Sequence, residues 1–178
     1  MVAILQSREA PTRADFHDAI SSRADRWYSV CLRITRNRDM AEDAVQDALL
    51  SAWNKRQQFD HSARLDTWIH RIAINSALQI LRKSRPGSFE PLEYEVPDDR
   101  ESPDAARADQ ELGDQLSTAL EKLTEIERVC FVLKHLEQWR LKEIAEEIGA
   151  NVGAVKQAIF RAVRKLRVGM ANLQSEQL

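Results

Sequence analysis

The chain of 178 residues is short of the amino acids that punctuate or staple a fold. Five glycines and five prolines leave few tight turns, which points to long helices and away from a many-stranded sheet. The two cysteines, Cys31 and Cys130, stand far apart with no Cys-x-x-Cys. Neither a zinc site nor a disulfide framework is expected, and both read as reduced core residues. His17, His61, His70 and His135 show no metal spacing either. The longest apolar run, Val129 to Leu133, is far below the ~20 residues that cross a bilayer. The apolar start at 2–5 is too short for a signal-peptide core. A cytosolic protein is expected. There is no glycine-rich phosphate loop, nucleophile elbow or His-Glu-x-x-His, so no catalytic residue, metal or cofactor is expected and the chain reads as no enzyme.

What the chain does have is charge, in segregated blocks. The net charge is only -2. Residues 1–84 carry 13 basic and 10 acidic side chains, residues 85–110 carry 3 and 8, and residues 111–178 carry 10 of each. The middle block also holds Pro86, Pro91, Pro97 and Pro103. Proline removes a backbone donor and turns its predecessor away from helix, so an acidic, proline-rich stretch reads as an extended linker. The expected architecture is all-α: two small helical domains, 1–84 and 106–178, joined by an acidic linker at 85–105.

In the first domain Phe16, Ile20, Ala24, Trp27, Cys31 and Ile34 recur at helical steps. A second helix is expected to open with Asp39 and Glu42 as a capping box, its apolar face running through Met40, Ala44, Ala48 and Ala52. A third follows the loop Phe59 to Arg64, with Leu65, Trp68, Ile69, Ile72, Ser76 and Ile80 in register. The second domain predicts a helix near 106–122, a capping box at Thr124 and Glu127, and a helix face of Ile126, Val129, Cys130, Leu133 and Leu136.

The stretch from Leu141 to Arg167 is the most telling. A short helix should stop at Gly149, which tolerates a left-handed backbone, and Asn151 should cap the next. Ile144, Ile148, Val155, Ile159 and Leu166 fit a shared core, with Ala145 small at the crossing. This is a helix-turn-helix pattern, whose second helix would enter the major groove of DNA. Its outward face is Lys156, Gln157, Phe160, Arg161 and Arg164. An amphipathic helix must show water a polar face, but that requirement does not explain Phe160.

Two further groups stay open on the residues alone. Glu42, Asp43, Gln46 and Asp47 share one side of the second helix. They are either a solvated face favoured by the helix dipole or a docking surface for a basic partner. Phe59 opens the loop before the third helix, where it could pin that helix's start or stack an unpaired base.

Three segments carry a family likeness: Met40 to Trp53, Leu65 to Asn75, and Val152 to Arg167. In this order, with an acidic linker between, they resemble bacterial RNA polymerase sigma factors, and the short two-domain form resembles the extracytoplasmic-function class. The resemblance implies that Glu42, Asp43, Gln46 and Asp47 dock on the polymerase core. It implies that Phe59 and Asn75 contact the single-stranded −10 element, and that Lys156, Gln157, Phe160, Arg161 and Arg164 read the −35 duplex. Polymerase core, promoter DNA and an anti-sigma factor are the partners so implied. Met40 stands where the family often has Asp, and Leu123-Thr124 where it usually has Leu-Pro. Ala154, Gln157 and Ala158 replace its common Thr, Ser and Arg, which leaves the −35 sequence open. Two rivals compete with this reading. A stand-alone helix-turn-helix regulator would have no use for the acidic motif, and a mimic that sequesters an anti-sigma factor would have none for the basic face.

Overall fold

Three helices build the N-terminal unit of the computed structural model, which describes residues 9–84 and 118–175, with side chains as far as Val168. All regular structure among the described residues is helical, and the chain divides into two units after Leu81. The proline-rich linker at 85–105 and the helix expected from 106 lie outside the described residues, apart from a helical end at 118–120.

Helix α1 (Arg13–Thr35) begins at a reciprocal cap. The Thr12 backbone N–H donates to Asp15 Oδ2 at 2.7 Å, and the Asp15 N–H donates to Thr12 Oγ1 at 3.3 Å. The helix buries Phe16, Ala19, Trp27, Val30, Cys31 and Ile34. Ile20, expected on that stripe, is 37% exposed, because Ala19 takes the inward position at this turn. Helix α2 (Arg38–Asn54) is capped by Asn37, whose side chain accepts from the Met40 N–H at 3.0 Å. The capping box expected at Asp39 and Glu42 is therefore corrected: Asp39 already lies within the first helical turn.

Four alanines, Ala41, Ala44, Ala48 and Ala52, form the buried seam of α2 against α1 and are fully shielded from solvent. Met40, expected in that line, is half-buried beside it. Helix α3 (Leu65–Ser84) buries Ile69, Ala73, Ile74, Ala77, Leu78 and Leu81. Trp68, Ile72, Ser76 and Ile80 flank this stripe half-buried, one position off the expected register. The apolar set was wide enough for either line to satisfy the helical period.

In the C-terminal unit the expected capping box is present. The Thr124 N–H donates to Glu127 Oε2 at 2.9 Å and the Glu127 N–H to Thr124 Oγ1 at 3.4 Å. Helix α4 (Glu125–Phe131) runs on into a π-helical turn at Val132–Leu136, which no periodicity announced. Ile126 and Leu136 are half-buried, while Val129, Cys130, Val132 and Leu133 make the core. Helices α5 (Leu141–Ile148) and α6 (Val152–Ser175) complete the helix-turn-helix.

The π turn holds His135 against the Phe131 ring, with centroids 4.9 Å apart, and shields its Nε2 without a partner among the described residues. Burial pushes the imidazole below its usual pKa, and the Lys134 charge adds to the effect. The folded unit thus favours the neutral ring. Above the unfolded pKa of about 6.5 both states are neutral and stability is complete. Below it the unfolded chain takes up a proton the folded unit resists, and stability falls as pH drops through the folded pKa. The urea midpoint of the C-terminal unit, followed by NMR at Trp139, should therefore be lower at pH 5.5 than at pH 7.5. His135→Gln should flatten the difference, and an unchanged slope in that variant refutes the assignment.

Candidate nucleic-acid and partner interfaces

On α2 the alanine seam dictates what faces outward. Residues three and four apart share a face, so the side opposite Ala44 and Ala48 gathers Glu42, Asp43, Gln46 and Asp47, all exposed. At the middle of that face sits Leu50, 63% exposed. An apolar side chain ringed by acids and an amide has the anatomy of a binding surface: a desolvating centre and a polar rim.

The loop after α2 is tightly organised. A 3₁₀ turn spans Arg56–Gln58, and the Arg56 guanidinium carbon lies 4.1 Å from the Trp53 ring centroid. Phe59 follows, only 8% exposed, its centroid 4.5 Å from His61 and 5.2 Å from Trp68. Of the two readings left open, the ring packs as a pin beneath the loop. The ring also lines an open cavity of about 400 Å³ together with Pro11, Asp15, His61, Arg64 and Leu65. Asp60 Oδ1 accepts from the Ser62 N–H at 2.9 Å and the Ser62 hydroxyl at 2.7 Å, and these bonds hold its carboxyl below the usual range. His61 takes a left-handed backbone (φ 59°), with Nε2 3.1 Å from the Glu9 carbonyl oxygen.

Asp66, at the first turn of α3, ties this loop down and was not foreseen. Its Oδ2 accepts from Arg23 Nε of α1 at 3.2 Å, and its Oδ1 from Arg64 Nε at 3.1 Å and the Thr67 N–H at 2.9 Å. Burial pulls its pKa upward, but the Arg64 hydrogen bond and charge, with help from Thr67 and Arg23, hold the carboxyl below its usual range. The signal available in the sequence was an acid at a helix start with an arginine two residues before it. Asn75 is half-buried further along α3, its Oδ1 shielded and without a partner among the described residues. Ten residues of helix, about 15 Å, separate it from Leu65, so the loop and Asn75 do not share one pocket.

In the C-terminal unit Gly149 ends α5 at φ 70°. The Gly149 N–H donates to the Glu146 carbonyl at 3.4 Å and the Ala150 N–H to the Ala145 carbonyl at 2.9 Å, a paired closure that satisfies the helix end. Asn151 Oδ1 accepts from the Ala154 N–H at 2.8 Å and starts α6, as expected. Val155, Ala158, Ala162 and Leu166 are buried, and Ile159, expected among them, is half-buried at the edge. Lys156, Phe160 and Arg164 stand exposed, with Gln157 and Arg161 half-buried beside them. A buried carboxylate sets the position of this helix. Glu127, 3% exposed, accepts from Lys165 Nζ at 2.6 Å while capping α4. One acid thereby fixes α4 to α6 by a charge-assisted bond.

Residues 19–86 match the family model for sigma-70 region 2, and residues 113–166 match that for sigma-70 region 4. The chain is 30% identical over 164 residues to RNA polymerase sigma factor CarQ of Myxococcus xanthus, a match covering 90% of this chain and 92% of that protein. It is 29% identical over 168 residues to ECF RNA polymerase sigma factor SigW of Bacillus subtilis, covering 89% and 90%. It is 31% identical over 152 residues to ECF RNA polymerase sigma factor SigM of Mycobacterium tuberculosis, covering 84% and 74%. Among solved structures, the sigma factor RpoE in complex with the anti-sigma factor NepR from Bartonella quintana shares the fold, with TM-score 0.58 and 23% identity over 88% of this chain and 97% of that one. With both sigma-70 regions in order, and with such relatives matched along most of their length, the chain belongs to the extracytoplasmic-function class of sigma-70 factors, which direct bacterial RNA polymerase to promoters.

Proposed function

We propose that the two units divide promoter recognition between them. The N-terminal domain, 1–84, docks on the polymerase core through Glu42, Asp43, Gln46 and Asp47, with Leu50 as the apolar centre of the contact. The same domain receives the single-stranded −10 element along the loop after α2 and the start of α3, with the half-buried Asn75 further along that helix. Phe59 and Asp66 serve here by holding the loop in shape. The linker, 85–105, connects this domain to 106–178, whose α6 lies in the major groove of the −35 duplex. Lys156 and Arg164 reach phosphates or base edges from the two sides, and Gln157, Phe160 and Arg161 lie between them. An anti-sigma factor is a further partner in this reading. Two solved neighbours are such assemblies: RpoE with NepR, and CnrH with the cytosolic domain of CnrY.

The observation that carries the proposal is the separation of signs. An acidic face with an apolar centre lies on one unit, and a basic face on a helix-turn-helix lies on the other. A duplex-binding regulator needs only the second. The test is run-off transcription with bacterial core polymerase on a promoter library, with and without this chain. Transcripts of defined length that require the chain are expected. Tight, specific duplex binding by the chain alone, with no such transcripts, points instead to a stand-alone regulator.

A further inference from the structure

Phe160 is 67% exposed in the middle of the outward face of α6. The helix does not need it for its core, which is made by Val155, Ala158, Ala162 and Leu166. Single exposed apolar side chains are common and by themselves mean little. Phe160, however, has a cation one turn before it, Lys156, and another one turn after it, Arg164, both exposed. Gly153, two turns before it on the same line, carries no side chain. If the two cations engage the DNA on either side, the ring between them points at the floor of the groove. Base edges in the major groove display hydrogen-bond donors and acceptors, with one apolar group among them: the C5 methyl of thymine.

We propose that Phe160 determines specificity at one position of the −35 duplex by packing on a thymine methyl. The inference rests on the reading of α6 as the −35 helix and goes further by naming the base. A phenyl ring buried against a cytosine or guanine edge would leave polar groups desolvated and unpaired, so those bases are rejected as well as unrewarded.

The test isolates the methyl group. Holoenzyme assembled from bacterial core polymerase and this chain selects −35 duplexes from a randomised library. Each thymine of the selected sequence is then replaced singly by deoxyuridine, which lacks only the methyl. Binding is compared for the wild type and for Phe160→Ala, an exposed helix position where alanine is well tolerated. At one thymine the wild type should lose about fourfold in affinity, the worth of one buried methyl, and Phe160→Ala should not distinguish the two bases. Phe160→Leu should retain part of the preference. The proposal is overturned if no thymine shows the effect, or if Phe160→Ala shows it undiminished. If the selection enriches no −35 sequence at all, the reading of α6 itself has failed. That result is distinct from an enriched sequence indifferent to its methyl groups.

Discussion

Charge reversal of Asp43 and Asp47 to lysine is expected to lower affinity for the polymerase core at least about a hundredfold and to leave the melting temperature nearly unchanged. Both side chains are exposed, and the seam of Ala41, Ala44, Ala48 and Ala52 that anchors α2 lies on the other side of the helix. Exposed substitutions of this kind typically shift stability by under ~0.5 kcal/mol. At an interface the same reversal sets like charges against each other, which costs several kcal/mol, and about 2.7 kcal/mol already makes a hundredfold. Fluorescence anisotropy with labelled core, beside a thermal melt of the free variant, separates the two effects. Wild-type affinity in the double variant would remove the docking role from α2. Lost affinity accompanied by a collapsed melt would show that the acids serve the fold.

The second large effect belongs to Phe59. Its ring is buried between His61 and Trp68, so Phe59→Ala should cost the N-terminal unit about 3 kcal/mol, the low end for removing a buried phenylalanine. For a unit of this size that corresponds to a fall in Tm on the order of 15 °C. A promoter melted in advance at −10 should restore transcription only in part, since the loop that receives the strand has lost its support. Arg161→Ala provides the contrast. It should leave the melt nearly unchanged and weaken −35 binding by ~1–3 kcal/mol, with no rescue by the melted template. A stable Phe59→Ala protein, fully rescued by pre-melting, would return Phe59 to direct base stacking.

That contrast marks where sequence reasoning succeeded and where it stopped. Local chemistry was readable wherever one residue type satisfies one backbone need. Gly149, Asn151 and the Thr124–Glu127 pair all do what their positions announced. The cap at α2 was misplaced because Asn37 and Asp39 are both good caps, and only the turn out of α1 selects between them. Exposure was harder to read. The sequence shows that Phe59 is aromatic and sits in a loop, but not that two other rings close over it. Asp66 and the Glu127–Lys165 pair depend on partners 43 and 38 residues away, a distance no local pattern reaches. Leu50 stands opposite the line of Ala44, Ala48 and Ala52 that the sequence did display, and its exposure follows from that line.

Those alanines have a consequence for how such a protein can change. A seam of methyl groups lets α2 lie close to α1, and any larger residue at 41, 44, 48 or 52 would push the helix outward and tilt everything it displays. The exposed positions of the same helix make no demand on the packing beneath them. In the docking role proposed for the acidic face, partner choice and fold thus lie on opposite sides of one cylinder. Glu42, Asp43, Gln46, Asp47 and Leu50 can drift, or be redesigned to meet a different polymerase surface, without repacking a single core contact. The inward side tolerates almost no drift, and a helix divided in this way can acquire a new partner by surface substitutions alone.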